Sequence, residues 1–242
     1  MKALILIGGK GTRMHPASSF CPKEMFPMIR RPFLDLVIEQ LESAGICGKD
    51  IIFIMSKEKK DILKYYKNKH SYMFDSGTGL GNAIVEAVKK FRISGQFVVL
   101  LGDMLYLSSK NLIKDMIYKG KIVGSGVIGG FKHTDDYHKY CSIVYDPNNM
   151  TVYGLYEKPS ERVSDYSCSG QYLFNTKFVE YLKEYSDSGE AFGFTDAMND
   201  YLIFNNIYLA PLNDGDVMLD VGTPDAYVNS LVATLRFKND AL

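Results

Sequence analysis

Apolar residues follow two rhythms along the chain. Ala3–Ile7, Ile51–Met55 and Phe97–Leu101 are unbroken apolar runs, the pattern of strands covered on both faces in a parallel sheet. Between the first two, Leu34, Val37, Ile38 and Leu41 recur at helical spacing, with Pro32 at the start and Gly45 just past the end. That spacing and punctuation predict an amphipathic helix. Ile84, Val88 and Phe91 mark a second helix, and Lys57–Lys67 reads as another with charge on its outer face. Strands alternating with helices predict an α/β fold around a mixed, mostly parallel sheet flanked by helices.

The second half is less regular. Gly120–Gly130 is glycine-rich around Ile122, Val123, Val127 and Ile128 and reads as a weak strand. Tyr140–Tyr145 and Val152–Tyr156 flank the turn sequence Asp146-Pro147-Asn148-Asn149, which predicts a hairpin. Lys177–Tyr185 and Thr195–Asn205 read as helices. Val217–Val221 reads as a strand, and Thr223-Pro224 opens a helix striped with Val228, Leu231, Val232 and Leu235. No repeat, low-complexity tract or linker divides the chain. We therefore expect one domain over 1–242, built from a regular half at about 1–118 and a less regular half at about 119–242.

Charge and cysteine usage narrow the class. Lys plus Arg and Asp plus Glu both number 28 in 242 residues. A balanced chain without a basic run gives no footing for nucleic acid or a membrane surface. No apolar run approaches the roughly 20 residues a membrane helix needs. Glycine at position 8 comes too early for a signal-peptide apolar region. Cys21, Cys47, Cys141 and Cys168 are widely spaced without a CxxC pair, so reduced thiols in a cytoplasmic protein are the simplest expectation. His15, His70, His133 and His138 show no ligand spacing, and Asp135-Asp136 reads as a solvated loop.

The chemistry starts where the first strand ends. Gly8-Gly9-Lys10-Gly11-Thr12-Arg13 follows Ile7, and Pro22-Lys23-Glu24-Met25-Phe26-Pro27 comes shortly after. Three glycines let backbone N–H groups approach a bulky anion, and Arg13 and Lys23 add fixed positive charge. Neither the Walker A spacing nor GxGxxG is met. The segment thus points to a polyphosphate held outside the best-known loops. Asp103 follows the strand Phe97–Leu101, and Asp220 repeats the strand, Asp, glycine arrangement. Each alone reads as a turn or cap residue. Together they are suited to share one Mg²⁺ with a triphosphate. Glu157-Lys158-Pro159 offers a cation and a carboxylate for a second substrate. Ser76–Asn82 opens the Ile84 helix with N–H groups free for an anion.

These pieces, in this order, resemble the sugar nucleotidyltransferases, whose opening signature reads roughly GGxGTRLxP…PKxMxPxxxxP. Gly79-Leu80-Gly81, Gly102-Asp103, Glu157-Lys158-Pro159, Ser169-Gly170, Thr195-Asp196-Ala197 and Asp220-Val221-Gly222-Thr223 follow in the family's sequence. The run Pro-Lys-Glu-Met-Phe-Pro is most similar to the bacterial UTP–glucose-1-phosphate uridylyltransferase branch. The resemblance implies a Rossmann-like nucleotide-diphospho-sugar transferase fold. It also implies Mg²⁺-dependent transfer of a nucleotidyl group from an NTP to a sugar 1-phosphate, with release of pyrophosphate. Carried over, Gly8, Gly9, Gly11 and Thr12 wrap the nucleotide with Gly79, and Arg13 and Lys23 act on the phosphates at the reacting centre. Asp103 and Asp220 hold the metal, while Lys158, Glu157, Cys141 and Gly170 line the sugar-phosphate side. Relatives are often dimers or tetramers, so a homo-oligomer is expected by analogy. The chain ends soon after the last helix, so a β-helix or acyltransferase extension is not expected.

This sequence departs from that pattern in places. Phe74, with Asp75 beside it, stands where the family reads the base with Gln. Cys141 replaces the glycine of a Tyr-Gly pair. Ala191, preceded by Glu190, occupies the place of a Glu before Thr-Asp. The base is therefore open between UTP and dTTP, CTP or GTP. A non-catalytic nucleotide-sugar-binding subunit is the alternative from another class.

Overall fold

The computed structural model describes residues 1–133, 137–187 and 193–240. Asp135, Asp136, Glu190 and Ala191 lie outside the described residues. In chain order the elements are β1 Ala3–Ile7, β2 Pro27–Met28, β3 Arg31–Pro32, α1 Phe33–Ser43, β4 Ile51–Met55, α2 Asp61–Tyr65, β5 Ser71–Phe74 and α3 Leu80–Lys90. There follow β6 Gln96–Leu101, β7 Met104–Leu107, α4 Leu112–Val123, β8 Gly126–Lys132, β9 Cys141–Tyr145, β10 Val152–Glu157 and β11 Tyr166–Asn175. The last are α5 Thr176–Asp187, α6 Phe194–Leu202, β12 Ile207–Pro211, β13 Val217–Asp220 and α7 Pro224–Asp240.

Nine strands form one mixed sheet ordered β10-β9-β11-β6-β1-β4-β5, with β8 paired to β11 and β12 to β8. β6, β1, β4 and β5 are mutually parallel. β11 is antiparallel to β6, β8 and β9. The expected α/β architecture is present, and β1 shows why the sequence produces it. Its five residues are all buried, and alternate ones face opposite layers. Ala3, Ile5 and Ile7 pack with α1, α2 and α4. Leu4 and Leu6 pack with α3, α5 and α6. Each fully buried Ile or Leu contributes about 1.5–3 kcal/mol relative to exposure, so the two-sided runs fix the central strands.

The helix expected over Lys57–Lys67 is a turn at Lys57–Lys59 followed by the short α2, with Lys59 buried, and the pattern misled again further on. Residues 120–123, read as the start of a strand, finish helix α4, and the strand begins at Gly126. Asn111 caps that helix by accepting from the N–H of Lys114 at 3.0 Å. Gly120 sits so close to the sheet that a Cβ there would lie 2.2 Å from the side chain of Leu173. The glycine serves helix-to-sheet contact rather than a strand.

β11 positions the site. Its first residues pair with β9 and its last with β6, so these two neighbours part along one edge. The parting falls at Ser169-Gly170, and Gly170 takes the left-handed φ of 73°. A Cβ there would also stand 3.2 Å from Leu101 and Met104. Gly170→Ala is expected to cost about 1–3 kcal/mol, read by urea denaturation. A change within about 0.5 kcal/mol, as at an indifferent surface position, would contradict this.

Candidate active site

β1 and β6 run parallel as neighbours, so their carboxyl ends open on the same crevice, where α/β sheets place ligands. β1 delivers the loop from Gly8, and β6 delivers Gly102-Asp103. The N–H of Gly102 donates to the carbonyl of Leu6 at 2.9 Å. A Cβ at 102 would stand 3.1 Å from that oxygen, so a small residue keeps the two loops together.

Asp103 and Asp220 meet because β7 pairs antiparallel with β13, Met104 opposite Asp220. The ladder extends one step further, from the Val221 N–H to the Asp103 carbonyl at 3.1 Å. Helix α7 locks the second carboxylate's backbone. Buried Ser230 accepts from the Asp220 N–H at 2.9 Å and donates to the Asp220 carbonyl at 3.0 Å. The Gly222 N–H donates to Asp220 Oδ1 at 2.6 Å, and the Tyr140 hydroxyl approaches Oδ2 at 3.5 Å. Lys23 forms an ion pair with Asp103. Arg13 Nη2 borders Gly222 on the same side as Asp220 Oδ1. Burial pushes the Asp220 carboxyl above the usual carboxylate range, and Asp103 adds to it. The Gly222 N–H, Lys23 and Arg13 pull the other way.

A cleft of about 490 Å³ brings Arg13, Asp103 and Asp220 together with groups of the second half, while buried Lys23 does not line it. Arg13, Asp103, Cys141, Glu157, Lys158, Gly170 and Asp220 all line it. Lys158 has a left-handed φ of 46°, unusual for a residue with a side chain. Its N–H is held by the Tyr140 carbonyl at 3.1 Å. Its Nζ lies 3.7 Å from Glu157, and the Thr195 hydroxyl approaches the same carboxylate at 3.5 Å. Gly8, Gly9, Gly11 and Thr12 form the turn that carries Arg13 to the cleft and do not line it themselves. Gly9 and Gly11 adopt φ of 71° and 64°. Gly79 caps α3, whose first residue Leu80 lines the cleft. Phe74 packs on the core and beside Tyr72. Asp75 approaches the first glycine, its Oδ2 lying 3.7 Å from where a Gly8 Cβ would stand. Neither residue lines the cleft.

Lys59 escaped sequence reading because it lies in the run Lys57-Glu58-Lys59-Lys60, which looks like a solvated face. It is 7% exposed and Glu24 only 1%. Its Nζ donates to both Glu24 carboxylate oxygens at 2.8 and 2.9 Å and to the Gly8 carbonyl at 2.7 Å. One buried ammonium thus ties the Lys23 segment to the glycine turn. Tyr227 of α7 closes the other flank, donating to the Pro27 carbonyl at 2.8 Å with its ring 5.3 Å from Phe26.

The chain matches the nucleotidyl transferase family over residues 2–236. It is 30% identical to the UTP–glucose-1-phosphate uridylyltransferase of Staphylococcus epidermidis, aligned over 81% of this chain and 80% of that protein. It is also 30% identical to the bifunctional protein GlmU of Methanococcus aeolicus, over 93% of this chain and 52% of that protein. Among solved structures, a Bacillus anthracis protein assigned as a glucose-1-phosphate thymidylyltransferase superposes with a TM-score of 0.82 at 24% identity. The match covers 97% of this chain and 95% of that one, a likeness of fold.

Two stability measurements probe this geometry. Lys59→Met strands a buried carboxylate and is expected to cost about 3–5 kcal/mol. Adding Glu24→Met should restore much of the loss, and a double variant as unstable as the sum of the singles would contradict the buried pair. For Asp220, the folded state ionises less readily than the unfolded chain. It therefore loses stability as pH rises from the unfolded value toward the raised folded one. In metal-free buffer Asp220→Asn should melt above the parent at neutral pH, with the advantage gone below about pH 4. Equal melting temperatures from pH 4 to pH 8 would contradict the assignment of strain to that charge.

Proposed function

The chain belongs to the nucleotidyl transferase family, and we propose that, as a sugar-1-phosphate nucleotidyltransferase, it joins UTP to glucose 1-phosphate to give UDP-glucose and pyrophosphate. The observation that carries the reading is one cleft with two differently equipped walls. Arg13, Asp103 and Asp220 line one part of it, with Lys23 ion-paired to Asp103 outside the lining, and Glu157 and Lys158 line the part from the other half. A triphosphate needs the first set and a phosphorylated sugar the second. In this reading residues from about 1–118 handle the nucleotide and those from about 119–242 the sugar phosphate.

Gly8, Gly9, Gly11 and Thr12 then present backbone N–H groups to the triphosphate, assisted by Gly79 at the head of α3. Lys158 takes the sugar phosphate. Glu157, oriented by Thr195, accepts from sugar hydroxyls, while Gly170 and Cys141 shape the floor. A phosphate oxygen of glucose 1-phosphate attacks the α-phosphorus of UTP. The bond from that phosphorus to the α,β-bridging oxygen breaks, and pyrophosphate leaves with the electron pair. No protein atom is needed as nucleophile, so catalysis rests on positioning and charge. Arg13 and Lys23 meet the charge that grows on the leaving group.

The donor set fits Mg²⁺. Two carboxylates at neighbouring strand ends suit a hard cation that keeps waters and shares phosphate oxygens, and Asp220, raised chiefly by burial and further by Asp103, is a charge that a cation would compensate. Asp103 and Asp220 would hold Mg²⁺ there, and the ion would supply positive charge to neutralise the triphosphate. Lys23 is the partner of Asp103 in the free protein, a place its ammonium can yield as it turns to phosphate. For the base, Asp75 beside Gly8 is an acceptor that suits the N3–H of uracil or thymine. The intact set of Arg13, Lys23, Asp103, Lys158 and Asp220 weighs against a non-catalytic binder, which has no need of two metal carboxylates.

The test is pyrophosphate release with Mg²⁺ across all NTPs and a panel of sugar 1-phosphates. UTP with glucose 1-phosphate should give the highest kcat/KM. Highest turnover with dTTP, CTP or GTP, or with another sugar phosphate, would replace the substrates and keep the reaction. Silence across the panel would overturn it. Asp103→Asn should lower kcat by on the order of a hundredfold or more with little change in melting temperature, and parallel loss of folding and activity would count against its role.

A further inference from the structure

Two of the four cysteines meet on the sugar side of the cleft. β9 and β11 pair with Ile143 opposite Tyr166 and Ser142 opposite Ser167. One residue further in the same register, Cys141 stands opposite Cys168, and both line the cleft. Directly opposed residues of antiparallel strands project from the same face with Cα atoms about 4.5–5.5 Å apart. That separation lies inside the roughly 4.4–6.8 Å that a disulfide spans. The Cys141 thiol is close enough to bear on the ionisation of Cys168, and Cys141 Sγ itself approaches the Ser142 carbonyl at 3.9 Å. Cys168 is 6% exposed, whereas Cys141 is partly open to the cleft. Cys21 and Cys47 do not line it.

We propose that Cys141 and Cys168 form a dithiol modification site, which a hydroperoxide converts reversibly to a disulfide within the cleft. The Cys141 thiolate, reached from the cleft, attacks one peroxide oxygen. The O–O bond breaks, the alcohol leaves carrying a proton, and Cys141 becomes a sulfenic acid. The Cys168 sulfur then attacks the Cys141 sulfur. The S–S bond forms, the S–O bond breaks, and the hydroxyl leaves as water with the Cys168 proton. Two electrons pass from the thiols to the peroxide, and a dithiol reductant returns them. Burial and the neighbouring Cys141 push the Cys168 thiol up, so the cleft-exposed Cys141 is the member that meets the peroxide first.

The consequence for binding rests on the proposed reading of the cleft. Cys141 is also opposite Glu157 on β10, so a covalent tie between β9 and β11 resets the wall that presents Glu157. A misplacement of about 1 Å costs on the order of a hundredfold in turnover.

The experiment treats the full chain with tert-butyl hydroperoxide, alkylates remaining thiols and maps the peptides. A Cys141–Cys168 cross-link that dithiothreitol removes is expected, with Cys21 and Cys47 alkylated. The cross-link should be absent from Cys141→Ser and Cys168→Ser. Cys141 oxidised onward to sulfinic acid while Cys168 stays alkylatable would overturn the proposal, as would cross-links to Cys21 or Cys47 instead. In cross-linked protein, turnover of glucose 1-phosphate should fall on the order of a hundredfold and recover on reduction, with UTP binding retained. Full cross-linking with unchanged sugar-phosphate kinetics would overturn the assignment of this wall to the sugar and leave the pairing standing.

Discussion

Like charges held in a half-buried place repel, and the fold brings two together on purpose. Asp103 and Asp220 come from segments far apart in sequence, and the β7–β13 ladder makes them neighbours through Asp220 opposite Met104 and the Val221 N–H on the Asp103 carbonyl. Ser230 of α7 then fixes the Asp220 main chain from both sides. Burial foremost, with the Asp103 charge adding to it, raises the Asp220 carboxyl, and Lys23 and Arg13 stand where they offset it. The glycine turn, the Lys23 segment and the parting of β9 from β6 are arranged around that pair. An ensemble of cations about two carboxylates, open to a cleft, is the electrostatic shape of a site for a metal and polyanions.

A second buried charge pair does a different task. Glu24 and Lys59 are almost fully enclosed, and their strength lies in three short hydrogen bonds rather than in charge alone. An apolar pair of like volume can match such an arrangement in stability. Its distinctive effect is the bond to the Gly8 carbonyl, which no apolar pair can make. The turn that carries Arg13 is thereby indexed to the segment that carries Lys23, and the two cations keep a fixed spacing.

Legibility in the sequence followed burial symmetry. β1, β4 and β6 are covered on both faces, and their apolar runs announce them. β11 is equally central and entirely buried between its ends, yet Ser167, Ser169, Gly170 and Gln171 break every apolar rhythm. Its position is set by neighbours on both edges rather than by its own composition. Residues 120–123 read as strand because glycine with Ile and Val suggests one, whereas the helix from Leu112 carries through them with Gly120 pressed on Leu173. The loop motifs at Gly8, Asp103, Glu157 and Asp220 are readable because the proposed chemistry needs those residue types at strand ends. Lys59 is not, since a lysine among lysines gives no sign of burial. The Cys141–Cys168 pairing is not either, since register across two distant strands is invisible in spacing.

The proposal that Asp220 is a metal ligand is tested most directly by exchanging its oxygen for sulfur. Asp220→Cys offers a thiolate, which favours a soft cation over Mg²⁺. Pyrophosphate formation by this variant should collapse with Mg²⁺ and recover in part with Cd²⁺, so that its ratio of Cd²⁺- to Mg²⁺-supported turnover rises well above that of the parent and of Asp220→Ala. An unchanged ratio in folded Asp220→Cys protein would contradict a metal held at that carboxylate.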